Sequence, residues 1–133
     1  MRVILDACAM IAYLRDEPGA DVVEECFSQE PPICLAHAVT MCEVFYDFLR
    51  ASGEAAAKAA IDGLRSDGVF VREDMDEAFW TQVGRYKVSC KVSLADAFII
   101  VLAERYDAEV ITSDRREFTP VAAKGVCRVR FIR

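Results

Sequence analysis

The stretch SLADAFIIVLAERYDAEVITSD, residues 93–114, decides the architecture. From Leu94 to about Tyr106 it is apolar on nearly every side, so it reads as a helix buried inside a fold. Glu109-Val110-Ile111-Thr112 follows as a short strand that stops at Ser113-Asp114. A buried helix feeding a buried strand is the repeating unit of an α/β fold. One residue is out of place: Asp96 puts a carboxylate at the mouth of the apolar helix.

The same alternation extends in both directions. Arg2-Val3-Ile4-Leu5 is a strand bounded by Asp6, and helical clustering from Met10 to Leu14 is broken at Glu17-Pro18-Gly19. A helix from about Ala20 to Ser28 is ended by Pro31-Pro32, before a strand Ile33-Cys34-Leu35-Ala36. The next helix, Thr40 to Ala51, carries an apolar stripe of Val44, Phe45, Phe48 and Leu49. Gly53 separates it from an alanine-rich helix, Glu54 to Leu64, and Gly68 opens the strand Val69-Phe70-Val71. Asp76 to about Val88 is amphipathic, with Phe79, Trp80 and Val83 expected inward. A short turn of helix after Asp114 and an edge strand Cys127 to Phe131 complete the chain. The pattern predicts a three-layer α/β/α sandwich with a central, mostly parallel sheet, as one domain over residues 1–133.

Composition narrows the function classes. A hydrophobic fraction of 54% in 133 residues fits a packed core and excludes disorder. No apolar run is long enough to span a bilayer. The apolar opening MRVILDACAMIAYL is interrupted by Asp6 and lacks a small-residue cleavage site, so a cytoplasmic, non-membrane protein is expected. The net charge of −6 argues against wholesale binding to nucleic acid. The residues after Asp114 are nonetheless basic, with Arg115, Arg116, Lys124, Arg128, Arg130 and Arg133 against Glu117 alone. The six cysteines contain no Cys-x-x-Cys pair and the sole histidine is His37, so the usual zinc spacing is missing. The thiols are expected as small buried hydrophobes in a reducing compartment.

Four acids stand at places where this fold binds ligands, beyond the carboxyl ends of its strands. Asp6 and Asp114 end strands; Glu43 and Asp96 lie near the starts of core helices. Each also has a local role open to it. Thr40-x-x-Glu43 and Ser93-x-x-Asp96 resemble capping boxes, and Asp6 and Asp114 each precede a helix as possible N-caps. Gathered at one sheet edge, however, the four would repel. Two unit charges about 4 Å apart interact by roughly 4 kcal/mol at an effective dielectric of about 20. Such a cluster persists if a cation fills it or if some of the acids hold protons. All-oxygen donors without histidine favour Mg²⁺ or Mn²⁺.

Val3-Ile4-Leu5-Asp6 with Ala9-Met10-Ile11-Ala12-Tyr13-Leu14, then Thr40-x-x-Glu43, Ser93-Leu94-Ala95-Asp96-Ala97, and Thr112-Ser113-Asp114 leading to Phe118, occur in order along nearly the whole chain. In this the sequence resembles PIN-domain ribonucleases, and in size and order the VapC-type toxins of toxin–antitoxin pairs. The resemblance implies a PIN-like sandwich and a divalent-metal site of Asp6, Glu43, Asp96 and Asp114. It also implies Thr112 as a supporting hydroxyl, Glu117 as a peripheral acid, and cleavage of single-stranded or looped RNA. An antitoxin and a second copy of the chain are the partners it implies. Many members carry a hydroxyl residue just after the first acid, where this chain has Ala7 and Cys8; a thiol is the weaker hydrogen-bonding group.

The expected reaction is hydrolysis of an RNA phosphodiester with Mg²⁺ or Mn²⁺. Arg115, Arg116 and Lys91 are the candidates for backbone phosphate contacts. Phe45, Tyr46, Phe48, Phe79 and Trp80 are expected mainly in the core, with some facing a partner. The competing reading is a catalytically silent PIN domain that binds RNA or protein. A haloacid-dehalogenase-like phosphatase would want a second Asp where Cys8 stands, and a response-regulator receiver would want adjacent early acids; neither pattern is present.

Overall fold

Among the described residues, five short strands, none with an antiparallel neighbour, form the centre of the molecule. The computed structural model describes residues 1–28 and 33–133. In chain order the elements are β1 (Arg2–Leu5), α1 (Ala7–Leu14), α2 (Ala20–Ser28), β2 (Ile33–His37), α3 (Ala38–Ser52) and α4 (Glu54–Asp67). They continue with β3 (Val69–Arg72), α5 (Glu77–Cys90), α6 (Leu94–Tyr106), β4 (Glu109–Thr112), α7 (Arg115–Ala123) and β5 (Val129–Phe131). The sheet order is β3-β2-β1-β4-β5, and every pairing is parallel. The break expected at Pro31-Pro32 lies outside the described residues.

Alternation along the strands builds two separate apolar layers, because successive side chains point to opposite faces. Ile4, Leu35 and Val110 turn to one face and meet α5, α6 and α7 through Phe79, Ile99, Leu102 and Phe118. Val3, Leu5, Cys34 and Ile111 turn to the other and meet α1 to α4 through Met10, Val23, Val44 and Leu64. Helix α6 is buried from Asp96 to Ala103, as its all-round apolarity requires. Burial of each such large aliphatic side chain is worth about 1.5–3 kcal/mol. At the break before α2, Gly19 adopts φ +96°, and a Cβ there would come within 2.7 Å of the Ile132 carbonyl oxygen.

Three packing expectations are corrected. On α3 the buried positions are Thr40, Met41 and Val44, whereas Phe45 and Phe48 are half-buried and Leu49 is exposed. On α5, Phe79 and Val83 are inward but Trp80 is 50% exposed, since it lies one position off their shared face. All six cysteines are free thiols, and Cys42 is exposed where a buried hydrophobe was expected.

Strand β1 lies between β2 and β4, so the chain leaves it in opposite directions on its two sides. In open α/β sheets the crevice beyond the carboxyl ends at such a reversal is where ligands bind. The register pairs Leu5 with Ile111. The next residues, Asp6 and Thr112, therefore emerge side by side at that crevice.

Candidate active site

Asp6 is buried and held on both carboxylate oxygens. It caps α1, with Oδ1 accepting from the Ala7 amide at 2.7 Å. Oδ2 accepts the Thr112 hydroxyl at 2.7 Å and the Cys8 thiol at 3.3 Å. The Thr112 oxygen also receives the Asp114 amide at 3.0 Å, and Cys8 Sγ receives the Ser113 amide at 3.3 Å. One compact network thus ties the end of β1 to the turn after β4. Burial pushes the Asp6 proton affinity up; the bonds from Thr112, Cys8 and Ala7 oppose that push, and the charge of Asp114 adds to it. Cys8 stands where a hydroxyl was missed in the sequence, and its thiol reaches the acid. Burial and the nearby Asp6 raise that thiol to about 11, which keeps it protonated as a donor.

The other acids reach the same crevice from three helices. Ser93 caps α6 by accepting the Asp96 amide at 3.1 Å, which sets Asp96 in the first buried turn. Burial chiefly, then the Asp6 charge, lifts the Asp96 carboxyl to about 8; Ser93 opposes the shift, and Glu117 and Asp114 add to it. Asp114 caps α7, accepting the Glu117 amide at 3.0 Å. Glu43 is pushed up by burial and by Asp6, and its Oε1 is buried without a hydrogen-bond partner. These mutual shifts are the electrostatic signature of carboxylates sharing one space.

The capping box open to Thr40 and Glu43 as a local alternative does not form. The residue that caps α3 is His37, whose Nδ1 accepts the Val39 amide at 3.1 Å. With Nδ1 accepting, the 2.9 Å contact to the Asp74 carbonyl is donated by Nε2–H. Thr40 is therefore inside the helix and fully buried, and Glu43 lies beyond the first turn with no cap to serve. The helix-start explanation holds for Asp6 and Asp114, and it fails for Glu43.

Asp6, Glu43, Asp96, Asp114 and Glu117 line one cleft of about 320 Å³, together with Cys8, Ser93, Ile11, Tyr46 and Asp47. Thr112 stands behind it as the support of Asp6. Lys91, Arg115 and Arg116 are not among the lining residues. Arg115 is committed elsewhere: its Nε donates to the Arg133 carbonyl at 2.9 Å and its guanidinium covers the Phe131 ring at 4.5 Å. The sequence reading missed Asp47 and Tyr46. Asp47 was legible as the residue one helical turn beyond Glu43 on the same face.

A hard divalent cation fits the donors of this cleft. They are carboxylate oxygens without imidazole, and Glu43 offers a buried oxygen that nothing in the protein satisfies. As they are placed, no three His, Cys, Asp or Glu side chains among the described residues stand together closely enough to hold a metal ion.

A family model described as PIN domain matches residues 3–124. No curated protein matches the chain in sequence. Among solved structures, the chain is similar in fold to the DNA-bound VapBC of Salmonella typhimurium. The TM-score is 0.75 at 16% identity, over 100% of this chain and 99% of the other. VapBC-1 of nontypeable Haemophilus influenzae gives 0.74 at 20% identity, over 99% and 98%. VapC20 of Mycobacterium tuberculosis, a sarcin–ricin loop cleaving toxin, gives 0.64 at 18% identity, over 81% and 86%.

Proposed function

Since the chain belongs to the PIN-domain family, we propose that it is a divalent-metal-dependent endoribonuclease and the toxin of a toxin–antitoxin pair. One observation carries the reading: Asp6, Glu43, Asp96 and Asp114 share a cleft in which burial and mutual repulsion raise the proton affinity of three of them. Acids held in that state suit either a cation or chemistry that moves protons.

Asp6, Asp96 and Asp114, with Glu43, would hold Mg²⁺ or Mn²⁺, and Glu117 sits at the periphery of the set. Such an ion supplies charge stabilisation at a phosphate and makes a water more acidic. The protein's own part is positional. Thr112 and Cys8 fix the orientation of Asp6, and Ser93 fixes the turn that carries Asp96. The partners proposed are an RNA, a cognate antitoxin and a second copy of the chain, in the cytoplasm. No helix among the described residues is long and apolar enough to cross a membrane.

The test is cleavage of RNA by the purified chain with Mg²⁺ or Mn²⁺, and its arrest by EDTA. Metal-dependent cutting that stops on chelation is expected. RNA binding with no metal-stimulated cleavage would instead favour the silent binding module.

A further inference from the structure

An acid cleft repels a polyanion, so an RNA needs cations close to the cleft to bind there. The basic residues after Asp114 do not supply them at its lining, where Arg115 and Arg116 are absent. Two other arginines, outside the lining themselves, each pair with one residue that does line it, Asp47. Asp47 lies 2.8 Å from Arg15 Nη1 through Oδ2 and 2.8 Å from Arg50 Nη2 through Oδ1. The Oδ2 contact is close in distance without hydrogen-bond alignment. Each guanidinium also rests over an aromatic ring, Arg15 over Phe48 at 4.4 Å and Arg50 over Tyr46 at 5.6 Å. Tyr46 lines the cleft and is 55% exposed, although a core place was expected for it. The Arg50 side chain is 69% exposed.

We propose that the outer face of α3 is the substrate-seating rim of the cleft, where Tyr46 stacks an unpaired RNA base and Arg50 contacts the phosphate beside it. The inference rests on the ribonuclease reading and deepens it, since an aromatic face accepts only a base that is out of a duplex. Stacking tolerates any base, so the rim selects for unpaired RNA more than for sequence. Arg15, less exposed, sets Asp47 and thereby the direction of Arg50.

The experiment uses the full chain carrying Asp96→Asn, with Mg²⁺, and a short fluorescein-labelled single-stranded RNA without self-complementarity, read by anisotropy over a salt series. Tyr46→Leu is expected to weaken binding about tenfold, the scale of one lost base stack. Tyr46→Phe, which keeps the ring, is expected to stay within about twofold of its parent. Arg50→Gln is expected to lower the salt slope by about 0.7, one phosphate contact to a single strand. With Asp96 intact, Tyr46→Leu should raise KM and leave kcat unchanged. Equal binding by Tyr46→Leu and its parent overturns the inference, as does Tyr46→Phe losing as much as Tyr46→Leu. Loss of a bound protein partner with RNA binding intact would assign the face to that partner and overturn it too. If the native chain cuts RNA while these variants bind normally, the rim alone fails; if it neither binds nor cuts RNA, the ribonuclease reading fails with it.

Discussion

Acids line two hollows at opposite ends of the sheet, and they are treated differently. At the amino ends of β4 and β5 a hollow of about 680 Å³ is bordered by Glu104, Asp107, Glu109 and Arg128. Every one of those acids has a partner. Arg128 meets Asp107 at 3.2 Å, Arg130 meets Glu109 at 2.6 Å, and Glu104 takes the Tyr86 hydroxyl and the Gln82 amide. The cleft at the carboxyl ends is half that size, about 320 Å³, and among the described residues no cation stands against its central acids. The larger cavity is thus electrically settled and the smaller one is not. Unmatched charge, rather than volume, marks the candidate site.

The sharpest way to break this contrast is Asp96→Asn. An outer partner of a metal ligand is worth about 10–100-fold in activity, so loss of a proposed ligand should exceed that range. Metal-dependent RNA cleavage should disappear while the circular dichroism spectrum stays native-like. Turnover close to native would remove Asp96 from the site.

The same repulsion should appear in stability. Burial holds the Asp96 carboxyl at about 8, and Asp6 and Glu43 shift the same way. The folded chain therefore binds more protons than the unfolded chain between the ordinary carboxylate range, about pH 4, and about pH 8. The stability these groups contribute is complete below that window and is lost as pH rises through it. In EDTA the melting temperature should fall across the window, and Asp96→Asn should flatten the fall. A melting temperature that climbs from pH 5 to 8 would contradict the assignment.

Smaller changes probe the support of Asp6. Thr112→Val removes the 2.7 Å bond to Oδ2 and the acceptor of the Asp114 amide. Cleavage should drop about 10–100-fold, with little change in the affinity for RNA. Cys8→Ser restores a hydroxyl, the stronger donor, and activity should lie between native and about tenfold above it. A large loss on that change would mean that the sulfur does more than donate to Asp6. The smallest effect belongs to the settled hollow: Arg130→Gln breaks an ion pair at the sheet edge and should cost less than about 1 kcal/mol. Cleavage should be unchanged, as a rate assay beside a thermal melt would reveal.

Much of the architecture was legible because it is written locally. Helix α6 and strand β4 begin and end where apolar run, cap and turn residues put them, with Asp107 closing the helix at φ 49°. Helix α3 was misread at its start for an instructive reason. Thr40-x-x-Glu43 satisfies the capping pattern, yet His37, an unusual cap, begins the helix one turn earlier. Without that correction Glu43 keeps a local purpose it does not have. Arg115 donates to the Arg133 carbonyl, a contact that its nearness in sequence to Asp114 does not reveal.

The order of strands and helices and the burial of α6 follow from the sequence itself, and the four acids were proposed from it. Hydrophobic period and capping chemistry act over a few residues, and both can be read along the chain. The meeting of Asp6 with Thr112, the stand-in role of Cys8, and the place of Tyr46 and Asp47 in the same cleft were decided only by the tertiary structure. Those depend on the register of β1 against β4 and on how α3 lies across the sheet. Pairing between segments more than a hundred residues apart leaves no periodic trace in either one.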